Sequence, residues 1–97
     1  MEKRKSTYDL ASIRNNVSDL IFTKTALNGA SEMGMTRSDM ENVIENLTNR
    51  NFYKSMTTNY NHKIWMDVYH GQTEEFEIYI KFIKDSEEFV CTSFKEK

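Results

Sequence analysis

Apolar residues recur at helical spacing through the first half of the chain and at every second position through the rest. Leu10, Ile13, Val17 and Leu20 follow a 3-4-3 spacing, which predicts a helical segment capped by Asp9 and running through Leu20. Ile21 to Lys24 fits either a short strand or a continuation. A second short helix is predicted over Ala26 to Met33, ended by Gly34. A third starts at Ser38, with Glu41 three residues later as a capping box, and Met40, Val43, Ile44 and Leu47 line one face of it.

After Asn49 the period becomes two. Asn51 to Thr58 is rich in aromatic and β-branched residues. Lys63 to His70 alternates Ile64, Met66 and Val68 against Trp65, Asp67 and Tyr69. Glu75 to Ile83 alternates Phe76, Ile78, Ile80 and Phe82 against Glu75, Glu77, Tyr79 and Lys81, and Phe89 to Lys95 makes a last strand. The connectors between these strands are short enough to join antiparallel neighbours. Helices first and strands afterwards predict an α+β fold, with an antiparallel sheet formed mostly by the C-terminal half and the N-terminal helices packed on one of its faces. At 97 residues the chain is expected to form one domain, 1–97.

Composition narrows the function classes. No apolar run approaches the roughly 20 residues of a membrane-spanning helix. The charged stretch from Met1 to Thr7 leads into no apolar signal core, so a cytoplasmic protein is expected. Cys91 is the only cysteine, which leaves no disulfide framework and no thiolate zinc cluster, and His62 and His70 lie eight positions apart, no helical ligand pair. No metal site is expected. The net charge is −2 and the isoelectric point about 5.7. Residues 1–65 carry nine basic against seven acidic side chains, and residues 66–97 four against eight. A nucleic-acid site on such a chain must be a local basic patch.

Three stretches carry a more specific signal: Phe52-Tyr53-Lys54-Ser55-Met56-Thr57-Thr58, then Ile64-Trp65 and Asp67-Val68-Tyr69 around Met66, then the ending Ser93-Phe94-Lys95-Glu96-Lys97. Together with the opening Met1-Glu2-Lys3-Arg4, they resemble the MqsR toxin family. The resemblance spans the chain and is densest over residues 45–70 and 93–97. It implies a RelE-like fold and an endoribonuclease that cleaves mRNA; a small sheet with flanking loops suits the splayed bases of single-stranded RNA over a duplex. It also implies an MqsA-like antitoxin partner with a zinc-binding domain and a helix-turn-helix domain. Carried over position by position, it implies catalytic roles for Lys54, Tyr79 and Lys95. The family glutamine in the tryptophan-containing run is replaced here by Met66, and a histidine that the best-known member has between the tyrosine and the terminal lysine has no counterpart. Tyr53, His62, Trp65 and Met66 are the candidate substrate contacts.

On chemistry alone, two lysines and a phenol can neutralise charge on a phosphorane but are poor at removing a proton at neutral pH, since Tyr and Lys titrate near 10. A lysine depressed by neighbouring cations suits the task better. The expected route is attack of the substrate's own 2′-hydroxyl, without a cofactor. Plainer readings stand beside these. Lys54 and Tyr79 fit ordinary sheet positions, Lys95 a solvated tail and His62 plain surface. Trp65 fits packing or antitoxin contact as well as base stacking, and Met66, sharing a face with Ile64 and Val68, fits the core. Two other functions remain open: a toxin homologue that binds its antitoxin but cleaves weakly, and a sheet-based interaction module without catalysis.

Overall fold

A computed structural model describes residues 1–58 and 63–97. The chain forms β1 (Glu2–Lys3), α1 (Leu10–Asn15), a 3₁₀ turn (Val17–Asp19) and β2 (Ile21–Phe22). Then come α2 (Lys24–Glu32), α3 (Arg37–Glu45), a second 3₁₀ turn (Asn49–Asn51), β3 (Phe52–Thr57), β4 (Trp65–Gln72), β5 (Glu77–Asp85) and β6 (Glu88–Glu96). The strands make one six-stranded sheet in the order β1-β3-β4-β5-β6-β2. The expected α+β arrangement is present, with its four long antiparallel strands in the C-terminal half. The two additions are edge strands of two residues each, and β2 runs parallel to β6, so the sheet is mixed and not purely antiparallel.

The helices end where their termini find partners. Asp9 precedes α1 but makes no side-chain cap, and the predicted segment breaks at Asn16 into a separate 3₁₀ turn. Gly34, at φ +73, closes α2, with the Met35 N–H reaching back to the Ala30 carbonyl at 2.9 Å. The capping box of α3 lies two residues earlier than predicted. The Thr36 hydroxyl accepts from the Asp39 N–H, and the Asp39 carboxylate accepts from the Thr36 N–H. Glu41 instead pairs with Arg37 one turn back at 3.0 Å, an exposed contact that contributes a few tenths of a kcal/mol, roughly.

The core lies between one sheet face and the helices. Leu10, Ile13, Leu20, Ala26, Ala30, Met40, Ile44 and Leu47 pack against Tyr69, Ile78, Ile80, Phe82, Cys91 and Phe94. Tyr69 meets Phe52 and Phe82 edge-on at 5.5 and 5.8 Å, a favoured aromatic geometry. α2 sits so close to β6 that a Cβ on Gly29 would lie 2.2 Å from the Phe94 carbonyl oxygen, a position no other residue fills without moving the helix. Asp67 also points to this side and is fully buried. Its carboxylate accepts the Thr7 N–H at 3.0 Å and the Tyr8 N–H at 2.8 Å, while the Thr7 and Ser55 hydroxyls bond at 2.8 Å. That network ties the segment after β1 to the middle of the sheet.

This arrangement reverses one expectation. On β4 the apolar set Met66 and Val68 does not face the helices; Asp67, Tyr69 and Gly71 do. Tyr69 supplies the bulk that a core position needs and Asp67 is buried because two backbone donors satisfy it. Met66 therefore has no core role.

Candidate active site

The sheet face away from the helices is uncovered by them, and alternation decides what it displays. On β5 the core takes Ile78, Ile80 and Phe82, so Glu77, Tyr79 and Lys81 fall on the open side. Cross-strand register builds two adjoining rows. One runs Lys54, Val68, Lys81, Ser93; the other runs His70, Tyr79, Lys95. Val68 is fully buried although it lies on the open side, flanked by Lys54 and Lys81, whose aliphatic stems cover such a small residue.

Two register shifts deliver side chains to these rows. Phe52 pairs Tyr69 while Lys54 pairs Val68, leaving Tyr53 as an extra residue on β3. The bulge lays the Tyr53 ring against His70, stacked at 4.5 Å. On the other side Lys81 pairs Ser93 while Phe82 pairs Cys91, leaving Thr92 extra on β6. Cys91 and Phe94 thereby both reach the core, and Lys95 moves to the open face. In an unbroken strand Lys95 would share the side of Cys91.

Tyr79 is the centre of the group. The His70 ring lies 5.8 Å from it, the Lys81 ammonium 5.3 Å and the Lys95 ammonium 5.7 Å. The Lys54 ammonium is 5.3 Å from the Tyr53 ring. Tyr79, Lys81, Lys95, Glu96 and Lys97 line a shallow hollow of about 420 Å³, and Tyr53 and Lys54 join Glu2, Lys3 and Arg4 around a smaller one of about 200 Å³. Hollows of similar size lie elsewhere. One is between Met35, Val43 and Phe76, and another is bordered by Ile13, Asp19 and Phe89. Neither gathers cations as the open sheet face does.

The electrostatics divide the lysines. Partial burial, with Lys95 and Lys54 nearby, lowers the affinity of Lys81 for its proton. Lys54 moves the other way, because its ammonium is hydrogen-bonded to Glu2, whose own carboxyl is held below the usual range by that contact. Burial, and then Lys97, lower the pKa of His70, with Glu77 opposing. Among the described residues no three His, Cys, Asp or Glu side chains converge as a metal site would require.

The structure thus gathers Lys54, Tyr79, Lys95, Tyr53 and Met66 on one face, with Met66 paired to Met56 one step from the Lys54 row. It separates Trp65, which lies two residues before Asp67 on the helix side of the sheet. There the Lys3 ammonium sits 4.2 Å from its ring and its carbonyl accepts the Tyr8 hydroxyl at 2.7 Å. Trp65 packs at the N-terminal segment and takes no place beside Tyr79. His62 lies outside the described residues. Sequence reasoning missed Lys81 and His70. The signal for Lys81 was its spacing of two from Tyr79. His70 carried none, since the shift at Tyr53 that completes its surroundings leaves no mark in the sequence.

The Glu2 contact has a measurable consequence. A phosphate reaching Lys54 must displace that carboxylate. Glu2→Gln is expected to tighten binding of a phosphate polyanion by up to about five-fold, the range of an exposed ion pair. Titration with a short single-stranded oligonucleotide at low salt would check it, and unchanged or weaker binding would show that Glu2 does not compete.

Residues 5–96 match the sequence model of the family described as "Motility quorum-sensing regulator, toxin of MqsA". Over the full length of both chains, this chain is 38% identical to the mRNA interferase toxin MqsR of Escherichia coli strain K12. No helix among the described residues is long and apolar enough to cross a membrane.

Proposed function

The chain belongs to the MqsR toxin family, and from that premise we propose that it is the toxin of a toxin–antitoxin pair, an mRNA interferase whose active site is the open face around Tyr79. The observation that carries the reading is the convergence of Lys54, Tyr79, Lys81 and Lys95 on one uncovered sheet face of a chain whose net charge is negative. A local cationic patch is what a polyanion needs from such a chain.

In this reading the substrate is cytoplasmic single-stranded mRNA, whose splayed bases suit a flat face carrying exposed rings. Tyr53, 44% exposed and already stacked on His70, is the first platform for a base. Lys95 and Lys81 hold the scissile phosphate over Tyr79, and Lys54 holds a neighbouring one. The 2′-hydroxyl attacks in line, the cations neutralise the charge that develops, and the 5′-oxygen leaves, giving a 2′,3′-cyclic phosphate. This route draws only on side chains of the site and on the substrate's own hydroxyl. Met66 offers a thioether, at best a weak acceptor, to whatever base reaches it. Its effect is on sequence preference.

The same resemblance supports a RelE-like reading of the fold and an MqsA-like antitoxin with zinc-binding and helix-turn-helix domains that silences the toxin. Free toxin then arrests growth by destroying transcripts. Primer extension on a defined transcript incubated with the purified protein tests the reading. Breaks are expected in loops and not in stems of the same sequence. Equal cleavage of both would overturn the single-strand assignment. Antitoxin binding with an intact transcript would favour the weakened homologue that Met66 motivates.

A further inference from the structure

The proposed reaction needs a proton acceptor beside Lys54, Lys95 and Tyr79, because amines and phenols in general are poor ones at neutral pH. His70 lies among them. It stands on β4 directly opposite Tyr79 of β5, in the row that ends at Lys95 on β6. Its ring is 4.5 Å from Tyr53 and 5.8 Å from Tyr79. Its backbone carbonyl accepts the Asn51 side-chain amide at 2.9 Å; among the described residues no hydrogen bond to its ring nitrogens is seen. An imidazole stacked on Tyr53 and tilted beside Tyr79, with one ring nitrogen left to accept, is oriented without being spent.

We propose that His70 is a further catalytic residue of this site, the base that takes the proton from the attacking 2′-hydroxyl, with the Lys81 ammonium supplying the proton to the departing 5′-oxygen. The proposal rests on the reading of the open face as an RNase site. The step balances. The O2′–P bond forms while the P–O5′ bond breaks, the O2′ proton passes to the imidazole, and Lys81 protonates O5′. Solvent then returns a proton to Lys81 and removes one from His70, so the net result is one proton moved from O2′ to O5′.

The surroundings favour this division. The groups facing His70 are Tyr53 and Lys54 from β3, Glu77, Tyr79 and Lys81 from β5, and Lys95 and Lys97 at the end of the chain. Burial and Lys97 outweigh Glu77, so the imidazole stays neutral to lower pH than the ordinary 6.5. Burial and the lysines beside Lys81 make its ammonium a better acid than a free one.

The test is the pH dependence of kcat/KM on a single-stranded RNA, for the wild-type chain, His70→Gln and His70→Asn. Wild-type activity should fall on the acid side through one proton with a midpoint below 6.5. Both variants should lose that limb and about 10²-fold in rate on the plateau. Added imidazole should restore part of the activity of His70→Ala, which a merely structural role would not allow. A second measurement needs no variant: the NMR titration of the His70 C2 proton should give the same midpoint. An unchanged acid limb in His70→Gln, or an NMR midpoint far from the kinetic one, would overturn this assignment and leave the RNase reading intact. A wild-type chain that cleaves no RNA would overturn that reading, and this assignment with it.

Discussion

Replacing Lys95 by alanine should slow RNA cleavage on the order of 10²-fold, the effect of losing one charge-stabilising donor from a preorganised site. The position argues for the size. The Lys95 ammonium lies 5.7 Å from the Tyr79 ring, with Lys81 at 5.3 Å from the same ring, so two cations converge on one place. Lys54 shares the face but lies beside Tyr53 and is bonded to Glu2, and Lys54→Ala should act more on KM. Lys95→Arg keeps the charge and should recover most of the rate. Lys95 is exposed and carries no core contact, so the melting temperature should not move. Single-turnover kinetics on a short RNA would separate the cases. Full activity of Lys95→Ala would place the chemistry elsewhere on the face.

The second large effect concerns stability. Asp67→Ala removes the fully buried carboxylate that accepts the part-buried Thr7 and Tyr8 N–H groups. A hydrogen bond to a charged group contributes about 1.5–3 kcal/mol. A loss of about 3 kcal/mol is expected from a chain stable by roughly 5–15, a drop of about 10–20 °C in melting temperature. Asp67→Asn keeps one accepting oxygen and should lose less. The N-terminal segment that Asp67 anchors carries Glu2 against Lys54, so the surviving folded fraction should also bind RNA more tightly. Urea unfolding followed by tyrosine and tryptophan fluorescence would measure the first effect. A change below about 1 kcal/mol would mean that water replaces the carboxylate.

How much of this was written in the sequence depends on how local the signal is. The three helices and four long strands were legible from apolar period in most, from the closing Gly34 in α2 and from aromatic and β-branched composition in β3. β1 and β2 were not, because two residues cannot show a period. The outward position of Tyr79 followed from Ile78 and Ile80 on either side, and the same alternation sent Lys81 outward beside it, but a lysine on a strand's polar face looks like ordinary solvation. β4 misled because its apolar residues, Met66 and Val68, face outward while a charged residue faces in. Asp67 is tolerated there only through backbone donors 59 and 60 positions away. Lys95 and Tyr53 depend on the bulges at Thr92 and Tyr53 itself. A bulge inverts every later position of its strand, and nothing in the composition of β3 or β6 announces it. The family resemblance supplied Lys54, Tyr79 and Lys95 where periodicity was silent. It could not supply His70, whose surroundings arise only in the folded sheet.

In the proposed reaction the open face directs the substrate's own 2′-hydroxyl at the scissile phosphate. Once a cleavage position has been mapped, two RNAs of identical sequence decide it, one of them carrying 2′-deoxyribose at the nucleotide 5′ to the break. The all-ribose strand should be cut without added metal to leave a 2′,3′-cyclic phosphate, and the deoxy-substituted strand should stay whole at that position. Cleavage of both strands at the same bond and rate would contradict it.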